Sequence, residues 1–156
     1  MKYEFEYEVY DSTSELNPAD RDLVNRACAA IKLAYTPYSN FKVGSCAITN
    51  KGNFVSGSNQ ENSSYPVTIC SERVLLSTLS SVFPGEYITA IAINYIDKNG
   101  NSSSPITPCG ICRQALSEHE TRHKHNIRII LSSQTGQTYI MNKCRDLLPL
   151  PFNLEN

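Results

Sequence analysis

Three of the chain's six cysteines stand in company that suggests chemistry: Cys70 within T-I-C-S-E-R, and Cys109 with Cys112 within P-C-G-I-C-R-Q. Residues three apart in a first helical turn share one face, so a single ion can bridge Cys109 and Cys112. Cys70 can supply a third sulfur. Both groups fall where a helix is expected to begin, and the free N–H groups and partial positive charge of a helix start favour the thiolate that a metal needs. In mid-helix Cys70 and Glu72 would diverge by about 200°. At a helix end both can lean over the axis toward one site.

Three protein ligands leave the fourth position of a tetrahedral zinc to water, whereas a structural site usually closes with a fourth Cys or His. That count favours catalysis, with Glu72 free to act as general acid and base. Three thiolates around a divalent ion leave one net negative charge, and Arg73 is the obvious compensating cation. Taken alone, C-x-x-C fits a dithiol redox pair or half of a non-catalytic zinc module equally well. Neither explains C-S-E-R. Cys28 belongs to the apolar stripe of a helix and Cys46 to a strand, so both read as core thiols. Cys144 has no assigned role. His119, His123 and His125 flank a polar run, H-E-T-R-H-K-H, expected to be a solvated helix end.

The elements that must position these residues are legible in the pattern. Asn17-Pro18 is a cap followed by proline at the first helical position, and Leu23, Val24, Ala27, Ala30, Ile31 and Ala34 recur at helical spacing, which predicts a helix from Pro18 to Ala34. K-V-G-S-C-A-I-T and F-V-S-G-S-N, joined by N-K-G-N, read as a strand hairpin. A helix is expected over Ile69 to Phe83, stopped by Pro84-Gly85, then a buried strand over Ile88 to Tyr95. Pro108 opens a helix through Glu120, and I-R-I-I-L-S-S and T-Y-I-M complete the set as strands. Helices alternating with strands predict a three-layer α/β/α sandwich around a central mixed sheet of about five strands. Residues 1–16, with their Y-E-F-E-Y-E-V alternation, are either an added edge strand or an N-terminal arm.

Composition sets the outer bounds. With 156 residues, 40% hydrophobic and 19% charged, the chain fits one soluble domain spanning 1–156. A formal net charge of -1 supplies no basic excess for a nucleic-acid polymer. No apolar run approaches a signal core or a membrane span, so a cytoplasmic protein with reduced cysteines is expected.

Cys70-x-Glu72 followed by P-C-G-I-C-R-Q resembles the signature of the zinc-dependent cytidine deaminase family, in its small form with three cysteine ligands. Y-T-P-Y-S-N-F-K-V-G, G-S-N-Q-E-N-S-S-Y and L-L-P-L-P-F resemble family segments in the same order, so the likeness covers most of the chain from about Ala27 onward. The resemblance implies one zinc per chain on Cys70, Cys109 and Cys112, with Glu72 as proton shuttle. It implies that Asn59 and Glu61 hold the sugar, that Phe41 packs against the base and that Tyr65 lies in the pocket and at a subunit contact. It also implies that Phe152 is supplied by a neighbouring subunit of a homotetramer with shared active sites. The implied reaction is hydrolytic deamination of cytidine and 2'-deoxycytidine to uridine and 2'-deoxyuridine with ammonia released, as in pyrimidine salvage. A deaminase of a modified cytosine nucleoside such as blasticidin S is the neighbouring alternative, although its family lacks the N-x-E-N segment seen at Asn59 to Asn62. Ser71 departs from the family's usual alanine, at a position whose backbone, in the family, contacts the pyrimidine.

Overall fold

A computed structural model describes residues 2–154. Asn17 opens α1 (Pro18–Ala30), its side chain accepting the Asp20 N–H at 2.9 Å while Pro18 occupies the first turn, where no N–H partner is needed. The helix ends four residues before the expected Ala34. A 3-10 turn (Ile31–Leu33) follows, and the Tyr35 N–H goes to the Asn59 carbonyl at 3.0 Å instead of continuing the helix.

Six strands form one mixed sheet: β1 (Glu8–Tyr10), β2 (Lys42–Thr49), β3 (Phe54–Ser58), β4 (Ile88–Ile96), β5 (Arg128–Leu131) and β6 (Thr138–Met141), in the spatial order β1-β6-β5-β4-β2-β3. Among the described strands only the β4–β5 pair is parallel. The expected five strands are all present, and the sixth is β1, paired antiparallel to the β6 edge with Val9 opposite Tyr139. Two further helices, α2 (Ser71–Val82) and α3 (Gly110–His123), complete the set.

Strand alternation sorts the core into two layers. Ile91, Ile93, Ile129 and Leu131 face α2 and α3, where they meet Leu75, Leu79 and Leu116. Cys46, Ala92, Ile130 and Ile140 face α1, where they meet Leu23, Val24 and Ala27. The sheet is thus covered on both faces, as the three-layer reading requires. Each fully buried leucine or isoleucine contributes roughly 1.5–3 kcal/mol relative to exposure.

Two glycines let the helices lie close. A Cβ at Gly44 would stand 2.2 Å from the Ala27 carbonyl oxygen of α1, and one at Gly57 would stand 2.2 Å from the Ser71 carbonyl oxygen of α2. Gly57 thereby seats the first residue of α2 directly on the sheet.

Candidate active site

Both cysteine groups occupy helix starts, which come two residues later than expected. Ile69 exchanges backbone hydrogen bonds with Gln60 at 2.9 and 3.0 Å, which holds it extended and delays α2 to Ser71. Cys70 is therefore the N-cap residue of α2, and Cys109, with φ -65° and ψ 166°, is the N-cap residue of α3. Cys112 sits one turn into α3 on the same side as Cys109. Neither N-cap side chain caps the backbone of its own helix, so both sulfurs are free to face each other.

The sulfurs meet. Cys70 Sγ lies 3.7 Å from Cys109 Sγ, and Cys109 Sγ lies 3.6 Å from Cys112 Sγ. Zinc–thiolate bonds of roughly 2.3 Å at tetrahedral angles place sulfurs about 3.8 Å apart, so these three positions fit three corners of a zinc site. Among the described residues this is the one cluster of cysteine, histidine or carboxylate groups able to hold a metal ion. A lone dithiol would not account for Cys70.

The thiols share protons unevenly. Hydrogen bonding with Cys112, and more weakly with Cys109, holds the Cys70 thiolate against the opposing effect of burial, and its pKa falls to about 6. Cys112 is pushed upward, first by that same bond to Cys70 and then by burial. Arg73 favours the Cys70 thiolate as well, but it is the smallest of the influences on it.

A cavity of about 220 Å³ opens beside the cluster, lined by Cys70, Ser71, Glu72 and Cys109 on the helix side and by Phe41 and Asn59 on the sheet side. Glu72 is buried there. Asn59 accepts the Val43 N–H at 2.8 Å and donates to the Phe41 carbonyl at 2.9 Å, so its amide fixes the backbone that presents Phe41. The Phe41 ring stacks on Tyr95 at 5.2 Å between centroids.

The remaining expected site residues are dispersed. Glu61 and Tyr65 line an adjoining depression of about 360 Å³, which shares Thr68 with the first cavity. The Glu61 carboxylate accepts the Ser39 hydroxyl and the N–H groups of Tyr38 and Ser39, and these bonds, led by the hydroxyl, hold its pKa below the usual carboxylate value. Tyr65 is 71% exposed and packs edge-on against Tyr38. Phe152 lies in a separate groove with Ile111 on the outer side of α3, 70% exposed, and does not line the cysteine cavity of its own chain.

Some positioning residues escape sequence reasoning. Arg113 donates to the Pro108 carbonyl at 2.8 Å, the Leu147 carbonyl at 3.0 Å and the Thr107 hydroxyl at 2.8 Å, clamping the loop that delivers Cys109. Its signal was its place directly after Cys112. Tyr95, stacked on Phe41, is itself anchored by donating to the Ser104 carbonyl at 2.9 Å. The histidine run corrects an expectation: His119 is buried, and its Nε2 accepts the Ile88 N–H at 3.2 Å, so it is a core residue joining α3 to β4. Cys46 and Cys144 are buried thiols, and Cys28 is half-buried.

The profile of the cytidine and deoxycytidylate deaminase zinc-binding region matches residues 18–125. The cytidine deaminase of Mycobacterium tuberculosis (strain ATCC 25618 / H37Rv) is 35% identical over 137 residues, which is 86% of this chain and 90% of the relative. That of Mycoplasma genitalium is 43% identical over 88 residues, 56% of this chain and 63% of the relative. Among solved structures, the cytidine deaminase of Burkholderia pseudomallei superposes with a TM-score of 0.73 at 38% identity, covering 84% of this chain and 97% of the other.

Proposed function

The chain belongs to the cytidine and deoxycytidylate deaminase family, and on that premise we propose that it hydrolyses cytidine and 2'-deoxycytidine to uridine and 2'-deoxyuridine, releasing ammonia. The observation that carries the reading is the triangle of Cys70, Cys109 and Cys112 sulfurs at two helix starts with the Glu72 carboxylate in the same cavity. Zinc held by these sulfurs supplies a Lewis acid that makes water acidic enough to attack at neutral pH.

The chain's own groups supply the rest. Glu72 takes one proton from the water whose oxygen bonds C4 and passes it to N3, then takes the second from the resulting C4 hydroxyl and passes it to the amino group; the C4–N bond breaks, ammonia leaves and C4 keeps the oxygen as the uridine carbonyl. Phe41 packs against the pyrimidine, and its ring is held in place by Tyr95 and by the Asn59 amide behind its backbone. Ser71 presents its backbone to the base. Glu61 and Asn59 grip the sugar from the rim shared with Tyr65, and Arg73 offsets the negative charge of the thiolates. The substrate is a free nucleoside rather than a polymer, the domain spans residues 1–156, and the chain works as a cytoplasmic homotetramer in pyrimidine salvage. No helix among the described residues is long and apolar enough to cross a membrane.

The test is a panel of cytosine nucleosides, including cytidine, 2'-deoxycytidine and a modified cytosine nucleoside of the blasticidin S type, assayed for ammonia on zinc-loaded protein. Ammonia and uridine from cytidine are expected. Release from the modified nucleoside alone would overturn the assignment in favour of that class, and no release from any of them would leave a zinc module without turnover.

A further inference from the structure

Glu72 is 4% exposed, and among the described residues one group hydrogen-bonds its carboxylate: the Ser71 hydroxyl, which donates to Oε2 at 3.0 Å. Ser71 itself is fully buried, its hydroxyl has no other partner among the described residues, and its backbone is wedged against Gly57. The hydroxyl therefore projects from a fixed backbone onto one carboxylate oxygen. Among the described residues Oε1 has no hydrogen-bond partner.

We propose that Ser71 is a positioning residue for the proton-carrying carboxylate, anchoring Glu72 Oε2 so that the carboxyl group is already placed to move protons between water and pyrimidine. The proposal rests on the deaminase reading above. A glutamate has three side-chain torsions, and freedom among their rotamers must be given up each time the carboxylate reaches its reactive placement; a fixed partner removes much of that cost beforehand. A hydroxyl both donates and accepts, so the contact persists while the carboxyl gains and returns its proton in turnover. Alanine, the usual residue of the resembled family at this position, has no group that could do this. Ser71 thus acts through Glu72, and its side chain need not touch the nucleoside.

The test uses zinc-loaded full-length protein as parent, Ser71→Ala, Glu72→Gln and the double variant. Zinc content and unfolding midpoint are measured on all four, and kcat and KM for cytidine on the parent and Ser71→Ala. Calorimetry adds the affinities for uridine and for a pyrimidin-2-one ribonucleoside, which can add water at C4 but has no amino group to lose. Ser71→Ala should lower kcat about tenfold, the contribution of one hydrogen bond to a charged group, with zinc content, KM and uridine affinity unchanged. Affinity for the pyrimidin-2-one nucleoside should fall by a similar factor, and that loss should vanish in the Glu72→Gln background. A kcat within about twofold of the parent would overturn the proposal. So would a change in KM or uridine affinity as large as that in kcat, which would make the hydroxyl a pyrimidine contact, or an undiminished loss in the Glu72→Gln background. A parent that releases no ammonia removes the deaminase reading itself; an active parent matched by Ser71→Ala overturns this inference alone.

Discussion

Cys70 and Glu72 stand two residues apart in one cavity, yet the roles proposed for them should separate under substitution. Glu72→Gln removes the proposed proton acceptor and leaves all three sulfurs, so zinc content should stay at one per chain while turnover falls by at least about a hundredfold. Activity within tenfold of the parent would remove Glu72 from its role. Cys70→Ser leaves two sulfurs, so elemental analysis should show zinc well below one per chain; full zinc and full activity would dismantle the three-sulfur site. These residues were legible because ligands and carboxylate are clustered in two short local patterns at helix starts. Arg113 was not, because its Leu147 partner lies 34 residues further along the chain and becomes a neighbour only once the fold closes. The bond from Ser71 to Glu72 was equally hidden, since sequence shows a hydroxyl beside a carboxylate but not that both are buried.

At the scale of elements, periodicity gave helices and strands while the boundaries followed from backbone partners that no local pattern reveals. Ile69 and Tyr35 each pair with Gln60, so α2 starts later and α1 ends earlier than their apolar stripes suggest. The end of α3 shows the same principle in its side chains. Glu120, fully buried, accepts the N–H groups of Ile127, Cys144 and Arg145 at 2.7, 2.9 and 3.0 Å, joining α3 to β5 and to the turn after β6. Glu120→Ala would orphan two buried donors and one part-buried donor and should cost on the order of 3 kcal/mol by chemical denaturation; a loss under about 1 kcal/mol would contradict that account. His119 makes the adjacent joint. Burial, with His123 and Arg122 nearby, pulls its pKa from 6.5 to about 4. Its folded value is depressed, so the unfolded chain binds the extra proton between the two values; the neutral contribution is complete above about pH 6.5 and is lost as pH falls toward 4. His119→Gln keeps an acceptor for the Ile88 N–H but cannot charge, so denaturation at pH 7 and pH 5 should show a smaller acid loss than in the parent. Equal losses would mean that His119 does not carry this pH dependence.

Across the whole molecule, the C-terminal tail is the part that one chain does not explain. Gln114 holds the Phe152 backbone through two hydrogen bonds, of 2.7 and 3.1 Å, yet the ring is 70% exposed and Leu150 is 97% exposed. An ordered backbone presenting uncovered apolar side chains suits a site completed between chains, as the proposed tetramer requires. Burying one such aromatic contributes roughly 1.5–3 kcal/mol, so truncation after Leu150 should raise KM for cytidine by roughly 10- to 100-fold with zinc content unchanged. That result alone would not say whose pocket the ring enters. Mixing Glu72→Gln chains that keep Phe152 with truncated chains that keep Glu72 does: in a hybrid, a complete tail from one chain can serve the intact carboxylate and sulfurs of another. Hybrids should then turn over cytidine with a KM near the parent's, although neither component does so alone. Verified hybrids that perform no better than the truncated chain would place Phe152 in the service of its own subunit, and the shared-site arrangement would fall while the cysteine cavity and its chemistry stood.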